Sequence, residues 1–237
     1  MKIAVLSDIH ANLEALQAVL DYTHTHQVEK LYCLGDCVGY GPDPDACVTL
    51  LREKADAIVM GNHDYAAVGL ADIRYFNAYA RFAIEWTRAQ LSPENLNYLK
   101  KLPFTREEGD ILLVHASPKN PSHWDYVLTQ EEARQQFKSF RQEICFIGHS
   151  HMPVIFTPSA YYHTGSIILE QGEQYIVNVG SVGQPRDGDP RACFVIYDSD
   201  KHALEYIRVQ YDVEKTSQKI KETDLPEYLA ERILYGQ

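Results

Sequence analysis

Short apolar runs, each stopped by a polar cluster, set the pattern of this chain. Lys2–Leu6 predicts a buried strand and ends at Ser7-Asp8-Ile9-His10. A helix follows, with Asn12 as N-cap and Leu13, Leu16 and Leu20 on one face. Leu31–Leu34 predicts a second strand, ending at Gly35-Asp36. Asp43-Pro44 then reads as N-cap and first helical residue of a helix to about Glu53. Ala57–Met60 predicts a third strand, ending at Gly61-Asn62-His63-Asp64. Alternating strand and helix implies a parallel α/β sheet.

Residues 73–101 read as two helices split at Ser92-Pro93, with Phe76, Tyr79, Ala83 and Trp86 as the apolar stripe of the first. Glu107-Glu108-Gly109-Asp110 predicts a turn into the strand Ile111–Val114, which ends at His115. Thr129 and Glu132 have capping-box spacing and open a helix to about Phe140. The run Ile144–Ile147 ends at Gly148-His149-Ser150-His151. Strands then dominate: Val154–Thr157, Ser166–Leu169, Tyr175–Val179, Cys193–Tyr197 and Leu204–Val209. Helices from about Val213 and from Pro226 follow.

The 237 residues are 45% hydrophobic, enough for a packed core in a single domain, 1–237. No segment reaches 18 apolar residues, so no membrane span is expected. The N-terminal apolar run meets Asp8 too early for a signal peptide. Five cysteines in mostly apolar surroundings suggest reduced thiols and a cytoplasmic location. The formal net charge of −11 disfavours long nucleic acid, whose binders displace counterions with Lys and Arg.

Five apolar runs end in clusters able to bind metal: Asp8/His10, Asp36, Asn62/His63/Asp64, His115 and His149/His151. If the strands share a sheet architecture, the clusters converge on one rim, outside the carboxyl ends. In an extended chain, residues i and i+2 face the same way, so His149 and His151 are expected to aim at one point. Neutral imidazoles with carboxylates and an amide oxygen form a mixed donor set for transition metals. Asp36, the lone carboxylate of its cluster, is the candidate bridge between two ions.

These residues resemble the calcineurin-like metallophosphoesterases. The five motifs read Asp8-Ile9-His10, Gly35-Asp36-Cys37-Val38-Gly39, Gly61-Asn62-His63-Asp64, His115, and Gly148-His149-Ser150-His151, in the family's order and each after a strand. The resemblance implies an α/β (α+β) fold, a four-layer αββα sandwich of two mixed β-sheets flanked by helices. It implies two divalent transition-metal ions (Mn, Fe, Zn, Co or Ni). Asp8, His10, Asp36 and His151 would hold one ion; Asp36, Asn62, His115 and His149 would hold the other. By the same resemblance, metal-bound hydroxide attacks phosphorus, His63 is the general acid, and Asp64 orients it. Arg186, in Gly180-Ser181-Val182-Gly183-Gln184-Pro185-Arg186, lies in what resembles a family loop near the site and is a candidate phosphate binder.

The implied activity is hydrolysis of a small phosphodiester or nucleotide. The protein-phosphatase branch carries Asp-Arg-Gly in the second motif, where this chain has Val38-Gly39-Tyr40. That departure also weighs against the symmetrical dinucleoside tetraphosphatases, so dinucleoside polyphosphate hydrolysis and protein phosphatase activity are alternatives. Ala11 stands where the first motif often has glycine. A metal-binding tyrosine of the purple acid phosphatase kind would fall at Gly39, one residue before Tyr40. A protein-binding scaffold that has lost its metals is a further class, weighed down by the complete ligand set. Tyr40, Tyr65, Trp124 and Tyr126 are candidates for stacking on a base. His24 and His26 read as solvated residues at a helix end. His123, His163 and His202 read as surface or turn residues, and Cys33 as core.

Overall fold

The computed structural model describes residues 1–163 and 165–237, without the Tyr75 side chain. In chain order the strands are β1 (Lys2–Leu6), β2 (Lys30–Cys33), β3 (Ala57–Ile58), β4 (Thr105–Glu108), β5 (Ile111–Val114) and β6 (Ile144–Ile147). They continue with β7 (Val154–Phe156), β8 (Tyr161–Tyr162), β9 (Ser166–Ile168), β10 (Tyr175–Asn178), β11 (Ala192–Asp198) and β12 (Ala203–Val209). The α-helices are α1 (Leu13–Thr25), α2 (Pro44–Lys54), α3 (Asn62–Ala67), α4 (Ala78–Gln90), α5 (Pro93–Leu99), α6 (Gln130–Gln136), α7 (Val213–Lys221) and α8 (Glu227–Arg232).

One sheet runs β3-β2-β1-β11-β12-β9 and the other β4-β5-β6-β10-β7-β8. Both are mixed: β1 is parallel to β2 and antiparallel to β11, and β10 is parallel to β6 and antiparallel to β7. Strand alternation explains the stacking. Ile3 and Val5 join Tyr32, Leu113, Phe146 and Val177 between the sheets. Ala4 and Leu6 face outward onto Leu16, Val19 and Leu51 of α1 and α2. Across the molecule, Val114 and Cys145 pack on Ala133 and Phe137. The result is the expected αββα sandwich, and strands buried on both faces read as unbroken apolar runs.

Several local expectations change. The hairpin strand β4 is mostly exposed and charged, so no apolar alternation marks it. The third strand is shorter than expected, because the chain turns at Gly61 into α3. His63 therefore sits in the first turn of a helix, not on an extended strand end. The α4 stripe is also displaced. Ala80, Ala83, Ile84 and Thr87 are buried, whereas Tyr79 is exposed and stacks on Tyr228 with ring centroids 4.8 Å apart. No helix among the described residues is long and apolar enough to cross a membrane.

Asn12 ties three segments together. Its Oδ1 caps α1 at Ala15 N (3.1 Å) and accepts from Thr216 Oγ1 of α7 (3.1 Å). Its Nδ2 donates to Gly183 O (2.9 Å) and to Tyr211 Oη (3.1 Å). Lys219 of α7 adds an ion pair to Glu14 Oε1 at 3.0 Å and another to Asp43. Asn12→Ala is expected to cost about 2–4 kcal/mol, from a lost cap and a buried carbonyl left unpaired. A urea titration showing less than about 1 kcal/mol would deny Asn12 this joining role.

Candidate metal centre

The carboxyl ends of β1, β2, β3, β5 and β6 meet along one seam between the sheets. Backbone bonds lock the loops together: Asp8 N to Gly35 O (3.0 Å), His10 N to Asp36 O (2.9 Å), and Gly148 N to His115 O (2.8 Å). The loop after β10 closes the seam through Val182 N to Ser7 O and Gly183 N to Asp8 O. Two glycines permit the approach. A Cβ on Gly61 would lie 2.2 Å from Asp36 Oδ1, and one on Gly148 would lie 1.9 Å from Ser7 Oγ.

All seven expected ligands arrive here, and all are buried. Their Asp and His residues, with His63 added, fall into neighbouring groups: Asp8, His10 and His151; His10, Asp36 and His63; and Asp36, His115 and His149. The reason first given for His149 and His151 fails. Both have left-handed backbones (φ 66° and 59°), so they are not an extended pair, and they serve different groups. Asp8, His10, Ala11, Asp36 and Tyr40 are left-handed too. Such non-glycine conformations cost about 1–3 kcal/mol each and cluster at functional sites.

Backbone carbonyls fix the imidazole tautomers. His10 Nδ1 donates to Val38 O (3.1 Å), His115 Nδ1 to Leu34 O (2.9 Å), and His151 Nδ1 to Gln184 O. His149 is reversed, its Nε2 donating to Trp124 O (3.0 Å). A carbonyl only accepts, so each facing nitrogen carries a proton, and in the neutral rings the other nitrogen presents a lone pair. His10 Nε2 and His151 Nε2 consequently meet at 3.1 Å, lone pair toward lone pair. Asp8 Oδ1, buried without a hydrogen-bond partner, lies 3.2 Å from His151 Nε2. On the other side, His115 Nε2 is 3.1 Å from Asn62 Oδ1 and 3.4 Å from Asp36 Oδ2. Donor atoms about 2.0–2.2 Å from a tetrahedral or octahedral cation lie roughly 2.9–3.6 Å apart. The residues thus fit cations.

Asp36 stands between the groups. Its Oδ1 is held by His63 N (2.8 Å), and its Oδ2 lies 3.4 Å from His115 Nε2 and 3.7 Å from His10 Nε2. Burial would raise the pKa of both carboxyls, but His151 beside Asp8 and His115 beside Asp36 hold them below the usual range. Burial lowers His10, takes His149 down to about 3 and His63 down to about 4, so these rings are neutral. His115 goes the other way: burial opposes its charge, yet Asp36 raises it to about 9.

The expected Asp64–His63 contact is not formed. Asp64 accepts from Val38 N and Gly61 N, both at 3.2 Å, while buried His63 Nδ1 has no partner. A carboxylate at the third position of α3 reaches back to its own cap more readily than to its neighbour's ring. Asp64 therefore braces the two loops that carry Asp36 and Asn62. Burial and then the charge of Asp36 raise its pKa to about 7.

Tyr40 fills the space between His10 and His63, with ring centroids 4.8 and 4.5 Å away, and burial raises its pKa, keeping it a neutral phenol. Tyr126 stacks on His149 at 4.1 Å and remains 47% exposed, leaving a face for another ring. Tyr65 and Trp124 instead pack with Phe104. Arg186 lies 6.0 Å over the Tyr40 ring and donates to Gln184 Oε1. His26 stacks on Tyr22 at the end of α1 and is no part of the centre. The roles of Leu34, Val38, Trp124 and Gln184 went unread because they act through carbonyl oxygens, which every residue has.

A family description, the calcineurin-like phosphoesterase superfamily domain, matches residues 1–202. An uncharacterized protein of Methanocaldococcus jannaschii is 42% identical, covering 99% of this chain and 98% of that protein. The crystal structure of a metallophosphoesterase from Sphaerobacter thermophilus superposes with a TM-score of 0.90 at 40% identity, covering 100% of this chain and 99% of the other. A symmetrical bis(5'-nucleosyl)-tetraphosphatase of Erwinia tasmaniensis is 26% identical over 57% of this chain, which spans about half (50%) of that relative. The family uses divalent metals, and Asp and His groups that could bind them are brought together here. With its sandwich fold, its strand-end ligand groups and these relatives, the chain belongs to the calcineurin-like phosphoesterase superfamily and is a hydrolase of phosphoester bonds.

Proposed function

We propose that residues 1–237 act as one domain that hydrolyses small phosphodiesters, nucleotide-derived ones included, with two divalent transition-metal ions. The observation that carries this reading is the position of Asp36 Oδ2, within 3.7 Å of His10 Nε2 and 3.4 Å of His115 Nε2. Asp8, His10, Asp36 and His151 would hold one ion; Asp36, Asn62, His115 and His149 would hold the other. Bound there, such a pair supplies Lewis-acid activation of water and charge neutralisation at the phosphoryl oxygens.

The protein's own residues do the rest. Carbonyl-anchored imidazoles keep their lone pairs aimed inward, so the ligand set needs little rearrangement. His63 faces the substrate beside Tyr40 and protonates the leaving oxygen. Arg186 holds a phosphoryl oxygen through its planar fork. The protein-phosphatase arginine is absent from Val38-Gly39-Tyr40, and Tyr40 fills the space between His10 and His63, which favours diesters. Tyr126 offers its free face to an aromatic substituent. The tetraphosphatase relatives favour a second reading, cleavage within a dinucleoside polyphosphate, whose internal phosphates are likewise doubly substituted.

Diesters are expected to be cleaved faster than monoesters. Comparing kcat/KM for bis- and mono-nitrophenyl phosphate across Mn, Ni, Co and Fe checks this, and a strong monoester preference reverses it. Asp36→Asn is expected to lose metal at both positions, because one carboxylate offsets two cations. Two ions retained per chain, by elemental analysis, would refute the bridge. His63→Ala is expected to keep its metal and fold and to lose about 10²–10⁴-fold in kcat, most for poor leaving groups. Loss of an ion would make His63 a ligand, as its grouping with His10 and Asp36 allows. Equal slowing of every leaving group would leave it a charge-stabilising group only.

A further inference from the structure

The matched family region ends at residue 202, yet α7 and α8 form a wall of the site. Ile220, Leu229 and Ile233 border a narrow seam whose other side is His10, Tyr40 and Gln184. Leu229, Ala230 and Ile233 also share an apolar cluster with Tyr40, Ala80 and Ala83. Arg232 follows Leu229 by three residues, so it is a neighbour on the helix surface. The segment after it is fastened to the loop that carries Arg186, with Gly188 N donating to Gly236 O at 3.0 Å. Arg186 and Arg232 are thereby brought to one rim.

Both arginines are half-buried. Among the described residues, no Asp or Glu side chain lies within 4.0 Å of either. Nearby arginines differ: Arg191 pairs with Asp189 and Arg208 with Asp187. Arg186 donates to the amide oxygen of Gln184, lies over the Tyr40 face and sits beside the Tyr126 hydroxyl. Arg232 uses Nε on Gln237 O (2.6 Å) and lies 5.4 Å over the Tyr228 ring, which leaves its two terminal nitrogens without hydrogen bonds among the described residues. Burial, and then the charge of Arg186, lowers the pKa of Arg232. Two guanidinium groups carried on neighbouring segments of a protein of net charge −11 offer paired donors to an anion.

We propose that Arg186 and Arg232 form a second phosphate subsite beside the metal centre, selecting substrates with a further phosphate next to the scissile one, as in nucleoside or dinucleoside polyphosphates. This rests on the phosphoesterase reading and narrows its substrate class. Arg232, outside the matched family region, is a specificity residue in this arrangement.

The test compares affinities of the metal-loaded protein for methylenediphosphonate and methylphosphonate by calorimetry. These non-hydrolysable anions carry two phosphonates and one. The native protein is expected to bind the diphosphonate at least about tenfold more tightly, and Arg232→Gln to lose most of that ratio. Arg232→Lys keeps the charge but not the fork and is expected to fall between; it also serves if the glutamine variant melts early. An unchanged ratio in both variants, or no diphosphonate preference in the native protein, overturns the subsite. Failure of the phosphoesterase reading shows separately, as no hydrolysis of bis-nitrophenyl phosphate by the same metal-loaded protein.

Discussion

Two carboxyl groups, Asp8 and Asp36, are buried in the seam between two β-sheets, and the structure is arranged around compensating them. A bare buried carboxylate is too costly to persist, so it must be paired, hydrogen-bonded or protonated. Here one oxygen of each takes a backbone N–H, from His149 for Asp8 and from His63 for Asp36. The other oxygen of each is turned toward inward-facing imidazoles. The neutral rings of His10, His63 and His149 do not neutralise charge, and His115 with its raised pKa offsets only part of it; cations in their midst would offset the rest. The arrangement therefore suits cations at its centre.

That demand accounts for the strained backbone. Left-handed residues recur at the ends of β1, β2 and β6, where the chain must turn sharply enough to bring peptide N–H groups onto carboxylates. A regular strand end would point those donors along the sheet. The strain is sustained because the adjoining strands are buried on both faces. The glycines at 61 and 148 remove the side chains that would otherwise stand where the carboxylates and Ser7 are. Stability is thus drawn from the sandwich and concentrated as precision at its rim.

Around this centre lies a less constrained shell. Tyr40, Tyr126, Arg186 and the wall made by α7 and α8 contribute no candidate ligand and border the candidate metal centre. The wall is anchored by Asn12 and by the Glu14–Lys219–Asp43 ion pairs, so it is joined to the helix that leaves the first ligand motif.

Much of this was legible in the chain itself. Apolar runs ending in Asp, Asn and His mark both the strands and the polar groups that could hold metal, because strands buried on both faces leave no polar alternation and groups able to bind a cation must be polar at the point where the strand stops. Capping signals at Asn12, Thr129 and Pro93 located helix starts from local hydrogen bonding alone. Tertiary structure decided what depends on distant partners. It made β4 a strand through pairing with β5, not through its own composition. It chose the tautomers through carbonyls of Leu34, Val38, Trp124 and Gln184, atoms that carry no residue signature. It sent Asp64 to backbone donors instead of to His63, and it placed His149 and His151 in separate ligand groups. Spacing along a chain fixes direction only while the backbone stays regular, and at this rim it does not.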